Sequence, residues 1–391
     1  MRSARETTAR GVALRALMEI DGGARANVVV PEMLGASRLD QRDRHLVTEL
    51  VYGASRMQRA CDWLAGRYAR GRLDAQVRAA LRLGAYQLGW TRIPPHAAVS
   101  ATVAEVTGPG RSVVNAVLRR VAAEVGKGLV AWPDAATELS YPDWIVERLT
   151  ADLGRDRARE ALRTMNEPAT VSVRSDGYIQ DPASQMIAAH LGPLAGGGPV
   201  LDMCAAPGGK ATGLAGGADE PATGLVVAAD VSPSRARVVA ANAKRTGKDA
   251  VRTVVADGTS SPFRPQSFSL VLVDAPCSGL GVLRRRPDAR WRVSPADIDR
   301  LAALQRRLLT SAAGLLRPGG VLAYSVCTLS VAETASIDNW LRRSFPDLRP
   351  LPPPGGPWTP AGRGALLLPQ AAGTDGMFLL ALRAAGPDRT R

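Results

Sequence analysis

Residues 199–210 read Pro-Val-Leu-Asp-Met-Cys-Ala-Ala-Pro-Gly-Gly-Lys, a short apolar run that closes on an acidic residue and turns through small residues, paired glycines and a lysine. A turn of this composition lets backbone approach a ligand closely, as at the first strand-to-helix corner of a nucleotide-binding α/β sheet. It is not a G-x-x-x-x-G-K-[ST] phosphate loop, because positions 204 and 211 carry Cys and Ala, and it is not G-x-G-x-x-G. Outward from it, β-rich runs at 224–230, 251–257, 268–274, 319–327 and 376–382 alternate with helical stretches. The alternation predicts a doubly wound, mostly parallel sheet. Asp230 closes the second run, where a carboxylate accepts hydrogen bonds from both hydroxyls of a ribose, and Asp257 closes the third, facing an adenine amino group. These features fit an adenosine without a pyrophosphate. The plainer alternative is a tight turn with solvated Asp caps, since Asp is common at turns.

The chain has 391 residues, enough for two or three domains of about 100–200 residues each. Lys and Arg number 50 against 36 Asp and Glu, a net charge of +14, so a polyanion, nucleic acid before acidic membrane, is the expected partner. No apolar run approaches the ~20 residues of a membrane helix. The Arg-bearing start MRSARETTAR has no apolar stretch of a secretion signal behind it, and helical spacing begins at Val12, so the expected compartment is the cytoplasm. Cys61, Cys204, Cys277 and Cys327 lie far apart, and His45, His96 and His190 lack ligand spacing, so neither a disulfide framework nor a metal site is expected.

Residues 1–125 carry apolar side chains at helical spacing: Val12, Leu14, Leu17, Met18 and Ile20, then Leu46, Leu50 and Val51, then Val77, Leu81, Leu83, Tyr86 and Leu88. Gly84 and Pro94-Pro95 punctuate this all-α stretch without turning it into strands. A connector follows at 126–140, with a helical pattern from 141 to 166. Further on, Ser294 and Pro295 open a helix with a leucine stripe from Leu301 to Leu316, expected to end at Gly319-Gly320. The next strand then delivers Cys327 at its carboxyl end, the edge where open α/β sheets bind ligands. Asp274-Ala275-Pro276-Cys277-Ser278-Gly279 stands at another such end. A lone cysteine is usually a small buried hydrophobe, the reading kept for Cys61 and in part for Cys204, but paired strand-end thiols beside Asp274 point to chemistry.

With CAAPGGK (204–210), DAPCSG (274–279), Cys327 and QDPASQ (180–185) in view, the chain resembles the RNA cytosine-C5 methyltransferase family. Residues 1–125 resemble the helical RNA-binding domain of the antitermination factor NusB, through DRHLVTELVYG (43–53), IPPHAAVSATVAEV (93–106) and VNAVLRRV (114–121). That pairing is characteristic of the bacterial small-subunit rRNA methyltransferase B family. The resemblance implies a NusB-like domain (1–125), a connector with a shortened RNA-facing subdomain (126–185) and a Rossmann-like class I methyltransferase domain (186–391). It further implies S-adenosylmethionine as methyl donor, RNA and foremost 16S rRNA as substrate, and a monomer.

Cytosine carbon 5 is a poor nucleophile until a group adds at carbon 6, and a thiolate does this best. By resemblance Cys327 is the nucleophile, Cys277 helps release the product, and Asp274 contacts the base with Lys210 close by. Cys204, Ala205, Ala206, Pro207, Gly208, Gly209 and Lys210 would hold the methionine portion of the donor, Asp230 and Arg235 its ribose, and Asp257 its adenine. Bacterial DNA cytosine methyltransferases use a Pro-Cys thiol, so by that analogy Cys277 is the other candidate attacker. The run Arg284-Arg285-Arg286 with Arg290, Trp291 and Arg292 resembles a basic loop near RNA, or is a solvated face. Three departures stand out: Val326 where relatives carry Thr, Thr334 where they carry Asn, and only SDGYI (175–179) where they carry a longer RNA-facing segment. Methylation of another RNA such as tRNA, and a non-catalytic RNA-binding or assembly role, stay open beside rRNA methylation. A dehydrogenase fits less well, because the glycine pattern is wrong and the thiols would have no task.

Overall fold

In the computed structural model residues 8–128, 130–216 and 224–386 are described, so most of the MRSARETTAR start lies outside them. The chain divides into one unit of Met1–Glu147 with Leu283–Val293 and another of Arg148–Val282 with Ser294–Arg391. The expected boundary at 125 falls inside the first unit, and the expected connector of 126–185 is shared between the two.

The first unit is helical where the apolar spacing says so: α1 (Ala9–Asp21), α2 (Ala26–Ala36), α3 (Gln41–Arg56), α4 (Gln58–Gly66), α5 (Ala75–Trp90), α6 (Pro95–Glu105) and α7 (Gly110–Val125). Side chains of Thr8, Asp40 and Asp74 cap the starts of α1, α3 and α5 by accepting from backbone N–H groups. Val12, Leu17, Leu50, Leu81, Leu83 and Leu118 lie in one core, where each large side chain removed from water contributes about 1.5–3 kcal/mol. The glycines inside these helices serve packing. A Cβ on Gly84 would lie 2.3 Å from Leu118 Cδ1, and one on Gly53 would fall within the ring of Tyr86. Cys61 is fully buried in this core, as the plain reading expected.

The arginine run at 284–292 is a correction. Arg284 and Arg290 are buried in the first unit, not presented to solvent. Arg290 lies 3.8 Å from the centre of the Tyr141 ring and donates to the carbonyls of Arg56 and Ser140. Trp291 donates its indole N–H to Ser55 O at 2.7 Å, and Arg56 donates to Arg284 O at 3.1 Å. Burial pushes the Arg290 guanidinium down to about 10, which leaves it charged at neutral pH. Arg286 and Arg292 are exposed.

The second unit is built on one sheet: β1 (Val200–Asp202), β2 (Val226–Asp230), β3 (Val251–Val255), β4 (Phe268–Asp274), β5 (Leu316–Val326), β6 (Arg349–Pro350), β7 (Thr359–Ala361), β8 (Gly364–Leu367) and β9 (Met377–Arg383). The order is β3-β2-β1-β4-β5-β9-β8-β7, with β6 beside β9. β1 to β5 pair in parallel, while β6 to β9 add an antiparallel flank. Ile187, Leu191 and Val239 from helices 182–191 and 233–245 share a core with Leu270, Leu272 and Ala323 on one face of the sheet. Tyr324, alternate to Ala323 along β5, points to the other face and donates to Gln305 of helix 295–315. That helix ends at Leu315, earlier than expected, and β5 begins at once. Pro318 explains this, since the residue before a proline is driven out of the helical region.

Candidate active site

The chain leaves β1 toward β2 and β3 on one side, and builds β4 and β5 on the other. The carboxyl ends of β1 and β4 therefore flank a topological switch point, the crevice where such sheets hold ligands. Lys210, just beyond β1, and Asp274, the last residue of β4, meet across it at 2.7 Å. Lys210 is almost completely buried, while 30% of the Asp274 side chain is accessible. Burial alone would lower the Lys210 ammonium, but Asp274, with Cys327 and Asp202 adding to it, outweighs burial and raises it. The two form a fixed ion pair at the crevice, with part of the carboxylate accessible to a ligand.

Cys327 follows β5 directly and Cys277 stands three residues past β4; their sulfurs are 3.3 Å apart. Both thiols are partly accessible, and Cys277 is pushed well above the usual thiol range, first by its hydrogen bond with Cys327 and then by burial. What brings the two loops together escaped the sequence reading. Glu333, fully buried, accepts from Ser278 N at 2.9 Å, from the Ser278 hydroxyl, from Gln305 Nε2 at 3.1 Å and from Thr328 Oγ1 at 3.2 Å. Gln305 also donates to Pro276 O, and Tyr324 donates to Glu333 O at 2.7 Å. A buried carboxylate thus ties the Cys277 loop to the Cys327 loop, and its burial raises its own pKa. Gly281 completes the approach by donating to Cys327 O, where a Cβ would lie 2.1 Å from Gly376 O. Val326 is buried and registered against Phe378, and Thr334 donates its hydroxyl to Ser330 O.

On the cofactor side, Cys204 to Gly208 form the turn and Gly209 opens a short helix. Ala205 N–H donates to Ala229 O at 2.8 Å, and Pro207 O accepts from Asn242 at 2.9 Å. Burial and the acidic neighbours push the Cys204 thiol up, and Cys204 lies in the turn itself. Asp230 is buried at the end of β2, accepts from Ser232 N and Ala206 N, and faces Arg235 at 3.4 Å. Arg235 also donates to Ala206 O. Asp257 lies two residues past β3, is exposed, and accepts from Thr259 N and Oγ1, both at 2.8 Å. Asp202, not singled out before, ends β1 fully buried; one carboxylate oxygen accepts from Cys204 N and the other accepts nothing.

Two known families match the sequence: the 16S rRNA methyltransferase RsmB/F family over residues 189–383 and the NusB family over residues 7–123. Ribosomal RNA small subunit methyltransferase B of Thermus thermophilus is 35% identical, over 97% of this chain and 98% of that one. The protein of the same name from Pseudomonas syringae is 33% identical, over 95% of each. That second alignment spans 437 positions against the 391 residues here, so at least 46 of its positions (437 less 391) have no counterpart in this chain. In fold, the crystal structure of PH0851 superposes with a TM-score of 0.74 at 21% identity, over 96% of this chain and 99% of that one. With these likenesses beside the strand-end thiols and the Lys210–Asp274 pair, the chain belongs to the 16S rRNA methyltransferase RsmB/F family, enzymes that methylate RNA with S-adenosylmethionine, and carries a NusB domain ahead of the methyltransferase core.

Proposed function

We propose that this enzyme methylates carbon 5 of a cytosine in 16S rRNA through a covalent adduct on Cys327. The observation that carries the reading is the 3.3 Å approach of Cys277 and Cys327 beside the Lys210–Asp274 pair. The donor fits the turn. Buried Asp202 offers an unpartnered oxygen suited to an ammonium group, and Asp230 offers a carboxylate for the ribose. Bound there, S-adenosylmethionine supplies an electrophilic methyl group. Asp257, at the third strand end, is assigned to the adenine and Arg235 to the ribose edge.

The protein's own groups do the rest. Cys327 gives up its proton and adds through sulfur to cytosine carbon 6; N3 takes up a proton as electron density moves toward carbon 5, and Asp274, anchored by Lys210, accepts hydrogen bonds from that N3–H and from the amino group. Once carbon 5 carries the methyl group its proton leaves to solvent, the electron pair re-forms the carbon 5–carbon 6 double bond, the carbon–sulfur bond breaks with Cys327 departing as thiolate, and N3 gives back its proton. Cys277, next to Cys327 and kept as a thiol, assists this release. Cys327 is assigned as attacker by the family resemblance, and the hydrogen bond to Cys327 together with burial keeps Cys277 protonated. The target base must leave its stack to reach the crevice, which loops and single strands allow at least cost.

The test is transfer of labelled methyl to deproteinised small-subunit rRNA, with base-resolution mapping of the product. Cys327→Ala should be inactive, and Cys277→Ala should accumulate a protein–RNA adduct on denaturing gels. An active Cys327→Ala enzyme, or product mapped only to tRNA, sinks the assignment.

A further inference from the structure

Residues 171–180 form a tight two-stranded ribbon whose task the methyl-transfer scheme leaves open. Val173 bridges Ile179 in antiparallel fashion, Arg174 N donates to Tyr178 O at 2.9 Å, and Gly177 turns the chain with φ +78°. Strand alternation gives the ribbon two faces. Val171, Val173 and Ile179 are exposed, whereas Arg174, Tyr178 and Gln180 point at the turn of residues 204–210.

The Arg174 guanidinium is the hub of the inner face. Nη1 donates to Gly209 O at 2.8 Å and to Gln180 Oε1 at 3.0 Å, and Nη2 donates to Thr212 Oγ1 at 2.9 Å. Its remaining edge is held by both oxygens of Asp176, at 3.1 and 2.6 Å, with Lys248 at 3.8 Å from the same carboxylate. The guanidinium also lies over the Tyr178 ring at 4.7 Å, and the Tyr178 hydroxyl reaches Pro207 O at 3.4 Å. A Cβ on Gly209 would meet Gln180 at 2.9 Å and Tyr178 at 3.2 Å, so the turn and the ribbon are packed tightly. Only arginine combines a planar fork with enough donors to engage a carboxylate on one edge and backbone and hydroxyl acceptors on the other.

We infer that Arg174, locked by Asp176 and Tyr178, is a positioning residue for donor binding: it fixes Gly209 O directly and, through the Tyr178 ring, Pro207 O, and with them the course of the 204–210 turn. The inference rests on the reading that this turn holds S-adenosylmethionine. The short 175–179 segment is then part of the donor site's support.

The test is calorimetric titration of the full chain with S-adenosylmethionine in the absence of RNA, alongside steady-state kinetics and thermal melting. Losing these charge-assisted contacts should raise the donor Kd and KM about tenfold in Arg174→Ala and Arg174→Lys. Asp176→Asn should give a smaller rise in the same direction, while kcat at saturating donor and KM for RNA stay near wild type. Asp230→Asn serves as the control on the donor site. If Asp230→Asn loses affinity and Arg174→Lys keeps it, the inference fails alone; if neither loses affinity, the donor-site assignment fails and takes the inference with it. A parallel fall in melting temperature, kcat and both KM values in Arg174→Lys also overturns it, in favour of a general structural role.

Discussion

Cys277 and Cys327 are neighbours, and the proposed mechanism gives them unequal tasks. The hydrogen bond to Cys327 and burial together keep the proton on Cys277, which suits release and not attack. A second titratable residue sits beneath them. Burial, and next the Asp274 carboxylate, push Asp202 up to about 7. A carboxyl raised in this way favours the folded state most when protonated. Its contribution to stability therefore declines as pH rises from the ordinary Asp range toward about 7, then levels off. A cationic donor favours the ionised form, so the sign for binding is opposite. Donor affinity should rise between about pH 6 and 8, with proton uptake by buffer, and Asp202→Asn should bind more weakly with a flat profile. Titration in two buffers of different ionisation heat measures this, and a pH-independent wild-type affinity would contradict it.

At the scale of elements, the site is two loops joined by Glu333. Helix 295–315 brings Gln305, β5 brings Tyr324 and the turn after β5 brings Thr328, so the loops gain one arrangement from three directions. Glutamine at 333 has one acceptor oxygen for a set of donors arranged around two. Glu333→Gln should lower kcat about tenfold or more and cost about 2–4 kcal/mol of stability, with KM for the donor unchanged. Kinetics and calorimetry decide the matter, and wild-type kcat in a folded Glu333→Gln protein would remove Glu333 from any positioning role. The strand ends were legible in the sequence because apolar runs closing on Asp or Cys have a local signature. Glu333 was not legible, since its partners Gln305 and Ser278 stand 28 and 55 residues away and no spacing rule links them. The antiparallel flank was missed in part for a related reason: β6 to β8 are strands of two to four residues among prolines and glycines, too short to show alternation.

At the scale of the whole molecule, a net charge of +14 makes RNA affinity a function of salt, but charge in the sequence is not charge at the surface. The run at 284–292 illustrates the difference. Composition places six cationic and aromatic side chains there, yet carbonyls of Arg56 and Ser140 and the Tyr141 ring make Arg290 a structural cation of the first unit. Those partners come from positions 56, 140 and 141, far off in sequence, which is why a solvated or RNA-facing loop was the natural reading. Replacing Arg290 by Met strands the carbonyls, so the loss should be about 2–4 kcal/mol, read as a lower melting temperature. Arg290→Met should leave the slope of log affinity against log salt for rRNA where it was, because a buried guanidinium displaces no counterion from a phosphate. Arg286→Ala, on an exposed side chain, is the comparison. A variant at 290 that melts normally and binds RNA with a shallower salt slope would return Arg290 to the RNA interface and leave the packing of 283–293 without its central support.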